Sequence, residues 1–176
     1  MNIDPIKFTE ADMPVIIIEE DRQGLLGGLI KWKSAGNYNH VEAMIRPGIV
    51  ISQGPAGLKE IPIKDQLHPR IKMKFWKFCP QDPAEKIYFF EAIKKDLQKP
   101  WYRKRYDFLG ILGQAIGIRW LQIPWRRYCS EIVAAWFRSI GRNSIPARPT
   151  PAELNEIFKK MPDMQVMGYW EDPDAD

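Results

Sequence analysis

The sequence predicts an α+β fold, with a small antiparallel sheet packed against helices, and three observations carry that reading. The apolar period is strand-like through the first half of the chain and becomes helical after Asp82. At 45% hydrophobic, 12% aromatic and 27% charged, the 176 residues can fill a real core, which excludes disordered, collagen-like and coiled-coil chains. Fifteen prolines argue against a purely helical bundle. The length is that of one domain spanning 1–176, with its core over about 13–160 and an acidic, loose tail over 168–176.

Val15-Ile16-Ile17-Ile18 is a β-branched run between Pro14 and an acidic cluster, as in a buried strand. Residues 23–33 (QGLLGGLIKWK) space Leu25, Leu26, Leu29 and Ile30 as a short helix does, despite Gly27 and Gly28. His40 to Ile45, the turn Arg46-Pro47-Gly48 and Ile49 to Gln53 read as a hairpin, because proline presets φ and glycine tolerates a positive one. Gly54-Pro55-Ala56-Gly57 breaks the pattern. Residues 59–63 and the alternating 71–78 (IKMKFWKF) supply two more strands.

Asp82-Pro83-Ala84-Glu85 combines an N-cap, proline at the first helical position and an early acid, opening a helix to about residue 98 with Ile87, Phe90, Ile93 and Leu97 as its apolar stripe. A second helix is expected from Asp107 to about residue 116, and a third from Cys129 through Phe137. Thr150-Pro151-Ala152-Glu153 is a capping box that starts a short helix to about residue 160.

Two cysteines and two histidines exclude a disulfide scaffold and leave almost no ligands for a Cys- or His-based metal centre, so no metal and no cofactor are expected. Asp4, Glu10 and Asp12 occupy the stretch where a secretory signal would be basic and then apolar, which points to a cytoplasmic start. The most apolar segment, 108–118 (FLGILGQAIGI), is shorter than the roughly 20 residues a spanning helix needs, though contact with a membrane surface stays open.

A cysteine nucleophile needs help to ionise, and the first turn of a helix provides it through unpaired N–H groups and the dipole. Cys129 meets that demand, between Arg126-Arg127-Tyr128 and the apolar run 132–137. Cys79 ends a strand before Pro80, where a small buried hydrophobe is the more ordinary role. Of the two candidate bases, His40 opens a strand and His68 lies in a loop. Taken alone, a histidine at a strand end is more often a surface or satisfied core residue.

Four ordered segments raise the Cys129–His40 pair above that background: Ile30-Lys31-Trp32 leading to Asn37-Tyr38-Asn39-His40-Val41, Tyr106-Asp107, Tyr128-Cys129-Ser130-Glu131-Ile132-Val133, and Thr150-Pro151-Ala152-Glu153-Leu154. Over about residues 13–157 the chain resembles the circularly permuted papain-like hydrolases of the NlpC/P60 superfamily, the YiiX/YebB-like group, in which the histidine precedes the cysteine. The resemblance implies Cys129 as nucleophile, His40 as general base and then acid, and a cysteine hydrolase cleaving an amide bond in a cell-wall peptide or related linkage, in a bacterial or phage setting. It also implies a third polar residue on the strand after the histidine. An ungapped match places Ser52 there. A two-residue Pro47-Gly48 turn would instead pair Glu42 with Gln53 on the face of His40, and Gln53 is the preferred orienter because an amide oxygen can accept the imidazole N–H. With no acidic orienter at that position, the imidazolium is expected to be less stabilised. Tyr106 and Tyr128 are the expected substrate-contacting residues, against the plainer reading of Tyr128 as sheet packing, and Asp107 is as well explained by capping.

Residues 101–106 and 120–127 interleave cations with aromatics, and the net charge is +4. A solvated rim explains them better than a nucleic-acid surface, since no nucleic-acid motif accompanies them. Partners are therefore expected to be a small peptide, an amino-acid conjugate or a lipid, with no specific nucleic acid. The apolar 108–118 stretch and its basic, Trp-rich flanks support an alternative activity, a lipid-directed acyl hydrolase or acyltransferase. A non-catalytic binding module on the same scaffold is the third reading.

Overall fold

The computed structural model describes residues 1–21, 38–69, 71–107, 109–110 and 126–172. Six strands, β1 (Val15–Asp21), β2 (His40–Arg46), β3 (Ile49–Gly54), β4 (Gly57–Pro62), β5 (Ile71–Phe78) and β6 (Met164–Glu171), form one sheet in the order β4-β3-β2-β1-β5-β6. Every neighbouring pair is antiparallel. Helices α1 (Pro83–Leu97), α2 (Cys129–Ser139) and α3 (Pro151–Phe158) pack on it, the α+β arrangement that the change of period predicts.

Strand alternation sends Ile16, Ile18, Val41, Ala43, Ile51, Trp76 and Phe78 to the helix side, where they meet Phe89, Val133, Trp136, Phe137 and Phe158. Phe137 lies at the centre, with ring centroids 4.9 Å from Phe89, 5.2 Å from Phe78 and 5.4 Å from Phe158. The opposite face carries Val15, Ile17, Met44, Val50, Met73 and Phe75, and is covered by Phe8, Met13, Ile63 and Leu67. With both faces buried, β1 reads as an unbroken apolar run rather than an alternating one.

The helix starts follow their local chemistry. Asp82 Oδ1 accepts the Ala84 N–H at 2.8 Å ahead of Pro83, and Thr150 Oγ1 accepts the Glu153 N–H at 3.1 Å while Glu153 returns the bond to the Thr150 N–H. Three expectations fail. The buried stripe of α1 runs through Phe89, Ile93 and Asp96, and Ile87 is exposed. Ile93 is buried as expected and Phe90 and Leu97 are half-buried, while Asp96 faces inward to accept the Trp136 Nε1–H at 2.8 Å. The segment expected as a loose tail from 168 instead forms the second half of β6, held by pairing to β5. Cys79, expected buried, is exposed just beyond the last residue of β5. The helix expected over 23–33 lies outside the described residues, as does most of the one expected over 107–116. No described helix is long and apolar enough to cross a membrane.

Candidate functional site

The site begins with a split between two strands. β2 and β3 pair only from Arg46–Ile49 to Glu42–Ser52, whereas β3 continues along β4 as far as Gly54–Gly57. Beyond Glu42 the start of β2 has β1 on one side, at Val41–Ile18 and His40–Glu19, and no strand of the described residues on the other. The N-terminus of α2 meets it there: the Cys129 sulfur accepts a hydrogen bond from the Val41 N–H and shares another with the His40 side chain. Tyr106 adds a long O–H···S contact at 3.9 Å. α2 forms at this point because Tyr128 supplies an extended N-cap and the residues after Cys129 place Ile132, Val133, Trp136 and Phe137 on one buried face.

Side chains from β1, β2, β3 and α2 converge on His40. Its Nε2 lies 3.0 Å from Ser52 Oγ and 3.9 Å from Glu42 Oε2, and 23% of its side chain is open to solvent. Glu42 is completely buried and accepts a hydrogen bond from Gln66 Nε2 at 3.0 Å. Glu19, also buried, sits across from His40 in the β1–β2 register.

The electrostatics follow from this packing. Burial alone would make the imidazole shed its proton, but the Cys129 thiolate, its hydrogen bond to the ring and the negative charge of Glu19 and Glu42 outweigh burial, and the His40 pKa is pushed up to about 10. Burial pushes the Cys129 thiol up as well, yet the imidazolium and the hydrogen bonds from His40, Val41 and Tyr106 bring it below its ordinary value. Both shifts favour a thiolate and an imidazolium. Burial and the Glu42 charge hold the Glu19 carboxyl well above the ordinary carboxylate range. Burial, then the Cys129 charge, raises the Tyr106 phenol, so it stays a donor toward sulfur; Tyr128 is raised by burial and by Glu131.

A cleft of about 660 Å³ opens onto this centre, lined by His40, Ser52 and Tyr106 and walled by Pro55, Ala56, Ile61 and Ile71. Cys129 itself is 2% exposed and does not line the cleft, which it reaches through its contacts with His40 and Tyr106. A second cavity of about 200 Å³, bordered by Gln53, Asp96, Lys99, Arg103, Lys104 and Arg127, lies apart from the imidazole.

Gln53, the preferred orienter, does not reach His40. Its Nε2 donates to the Lys104 carbonyl at 3.0 Å, and Ser52 takes the position by the ring. The reason is an irregularity in the hairpin: the β2–β3 register shifts between Met44 and Arg46, leaving Ile45 as an extra residue on β2, so that Glu42 faces Ser52 rather than Gln53. A one-residue slip turns every side chain to the other face. Tyr106 lines the cleft, whereas Tyr128 is buried against it and is absent from the lining. Asp107 is buried and its Oδ1 accepts the Gly110 N–H at 2.9 Å, a capping contact. His68 lines the cleft rim. What sequence reasoning passed over is the carboxyl pair: the imidazolium does have acidic neighbours, supplied by β1 and β2 instead of β3. The signal was present as two acids, Glu19 and Glu42, inside otherwise apolar strands.

Of the two cation–aromatic clusters, residues 101–106 form a rim in which Trp101 and Tyr102 are exposed and Arg105 lies 5.4 Å over the Trp101 ring. Most of 120–127 lies outside the described residues.

No family model matches the chain, and no curated protein matches it. Among solved structures, the fold is similar to that of the metalloprotein yiiX from Escherichia coli O157:H7 (DUF1105), with a TM-score of 0.55 and 16% identity over 89% of this chain and 97% of that one. This finding overturns the expected cysteine peptidase or amidase of cell-wall peptides. The solved protein that shares the scaffold is described as a metalloprotein and not as a thiol hydrolase, and a shared scaffold does not transmit an activity. Among the described residues, no group of three or more His, Cys, Asp or Glu is arranged to hold a metal ion. The chain therefore has a fold similar to that of yiiX, an antiparallel sheet packed against helices.

Proposed function

We propose that the protein is a lipid-directed acyltransferase that carries the acyl group on Cys129. The observation that carries this reading is the Cys129–His40 pair beside a cleft with an aliphatic stretch in its wall. Pro55, Ala56, Ile61 and Ile71 favour an acyl chain over a charged peptide, and Lys59 at the same cleft suits an anionic headgroup.

The steps follow from the positions of the groups. The Cys129 sulfur attacks the carbonyl carbon of an acyl ester, and the oxyanion forms beside the backbone N–H of Cys129 at the α2 N-terminus, where no side chain caps the helix. His40 gives its proton to the departing alkoxide as the C–O bond breaks, leaving an S-acyl thioester and a neutral imidazole. The imidazole then takes the proton of an acceptor hydroxyl or amine as that atom bonds the acyl carbon and the C–S bond breaks. Ser52 holds the ring by accepting from Nε2.

The metal of the yiiX protein has no counterpart in this scheme. His40 is engaged by Ser52 at Nε2 and by the Cys129 sulfur, and Glu42 Oε2 is engaged by Gln66, so these side chains are committed to one another rather than arranged as ligands. No step is drawn through a metal.

The test is incubation with phosphatidylglycerol vesicles, followed by intact-mass measurement and lipid analysis. Expected are lysolipid release and a hydroxylamine-labile acyl adduct on the wild-type chain, both lost in C129A, with an added amine or alcohol raising turnover. Lysolipid with free fatty acid and no response to acceptors would make the protein a hydrolase and overturn the transferase reading. Vesicle binding with neither product nor adduct would make it a binding module, the role that the deep burial of Cys129 favours.

A further inference from the structure

Two buried carboxyls beside His40 have no role in the steps above, and their placement gives them one. Glu19 and Glu42 belong to adjacent strands, β1 and β2, on the face that carries His40, since Glu19 pairs with His40 and Ile17 with Glu42. Each has a buried Oε1 with no conventional hydrogen-bond donor. Two such oxygens side by side are satisfied together by one proton held between the carboxyls, and Glu19 is hydrogen-bonded to Glu42. That leaves the pair with a single negative charge. The charge rests on the Glu42 side, where Gln66 donates to Oε2 and His40 Nε2 lies 3.9 Å away.

We propose that Glu42, with a proton shared from Glu19, is the acidic positioning residue of His40, so that this chain draws from the histidine's own strand and its neighbour the charge that the facing strand, with Ser52, does not provide. Ser52 supplies direction and Glu42 supplies charge. A hydroxyl at 3.0 Å fixes which ring nitrogen points away from sulfur, but it cannot stabilise an imidazolium as a buried carboxylate can. The inference rests on the Cys129–His40 reading of the site, and deepens it.

The groups that face His40 are Cys129 from α2, Glu19 from β1, Glu42 from β2, Ser52 from β3 and Tyr106, with Asp65, His68 and Lys59 farther along the cleft. Only Glu42 combines complete burial with proximity to Nε2. E42Q keeps the shape and the capacity to accept from Gln66 but deletes the charge. E19Q keeps a neutral donor toward Glu42 and removes only the carboxyl that β1 contributes to the pair. A merely structural role would make the two substitutions alike.

The experiment is the pH profile of Cys129 alkylation by iodoacetamide together with thiolate absorbance at 240 nm, in a C79S background, neither of which depends on acyl transfer. E42Q is expected to move the thiolate transition upward by at least one pH unit and to slow alkylation at pH 6 by about tenfold, the factor that a unit shift implies. E19Q is expected to move the transition in the same direction by less than half as much. Q66A, which frees the Glu42 carboxylate from a half-buried loop donor, is expected to move the profile in the same direction as E42Q by a smaller amount, and serves if E42Q does not fold. Superimposable profiles for the parent and a folded E42Q, an unmoved Q66A where E42Q does not fold, or equal shifts in E42Q and E19Q, would overturn the proposal. If vesicles yield no acyl product while E42Q still shifts the thiolate, the acyltransferase reading fails and Glu42 keeps its role.

Discussion

His40 shows how far one residue's chemistry is set by its neighbours. An imidazole on a strand end ordinarily titrates near neutrality, but here the thiolate and the buried acids keep it protonated to about pH 10. Because the folded value lies above the unfolded one, the stability His40 contributes is complete below its ordinary value near 6.5 and declines as pH rises toward 10. Wild type should therefore be more stable than H40A by the widest margin at pH 6, with the gap in denaturation midpoint closing steadily up to pH 10; urea titrations of both proteins measure it. A gap that widens with pH would contradict the ion pair. His40 and Cys129 were both legible as candidates, through a helix start and a strand start. Glu19 and Glu42 were not, because an acid inside an apolar strand reads as a boundary until its cross-strand neighbours are known.

Elements with local signals were the most legible. The α3 capping box and the Asp82-Pro83 start of α1 need only side chains within three residues, and both form as their spacing predicts. Replacing Thr150 by alanine removes the bond to the Glu153 N–H and should cost about 1 kcal/mol, read as a lowered urea midpoint with unchanged cooperativity. The hairpin was legible in its extent and not in its register. Pro47-Gly48 marks the turn, and Gly48 takes the positive φ of 75° that the reading anticipates. The extra residue at Ile45 leaves no local signature, because a half-buried isoleucine suits a regular strand position equally well. That one residue exchanges Ser52 for Gln53 beside the imidazole. The end of the chain was misread for a similar reason: β6 exists through its pairing with β5, and its sequence, with Gly168 in its middle, has little strand character of its own.

At the scale of the whole molecule, the sheet and its helices form a frame that carries the Cys129 helix to the split between β2 and β3. Phe137, eight residues after Cys129 on α2, anchors that helix among Phe78, Phe89 and Phe158. F137A should cost roughly 3–5 kcal/mol, as a buried aromatic deletion does, and should loosen the Cys129–His40 pair as the helix loses its seat. The expected readout is a much lower melting temperature together with a raised thiolate transition; a variant that melts early with an unmoved thiolate would separate core stability from site geometry. By itself the sequence determined the α+β class, the helix starts, the hairpin and the candidate pair Cys129 and His40, because capping, turn chemistry and periodicity act over a few residues. The tertiary structure alone decided that Ser52 replaces Gln53 and that two acids stand behind the imidazole. It also decided that Pro55, Ala56, Ile61 and Ile71 gather in one wall of the cleft, because register and burial belong to pairs of strands and not to any stretch of chain.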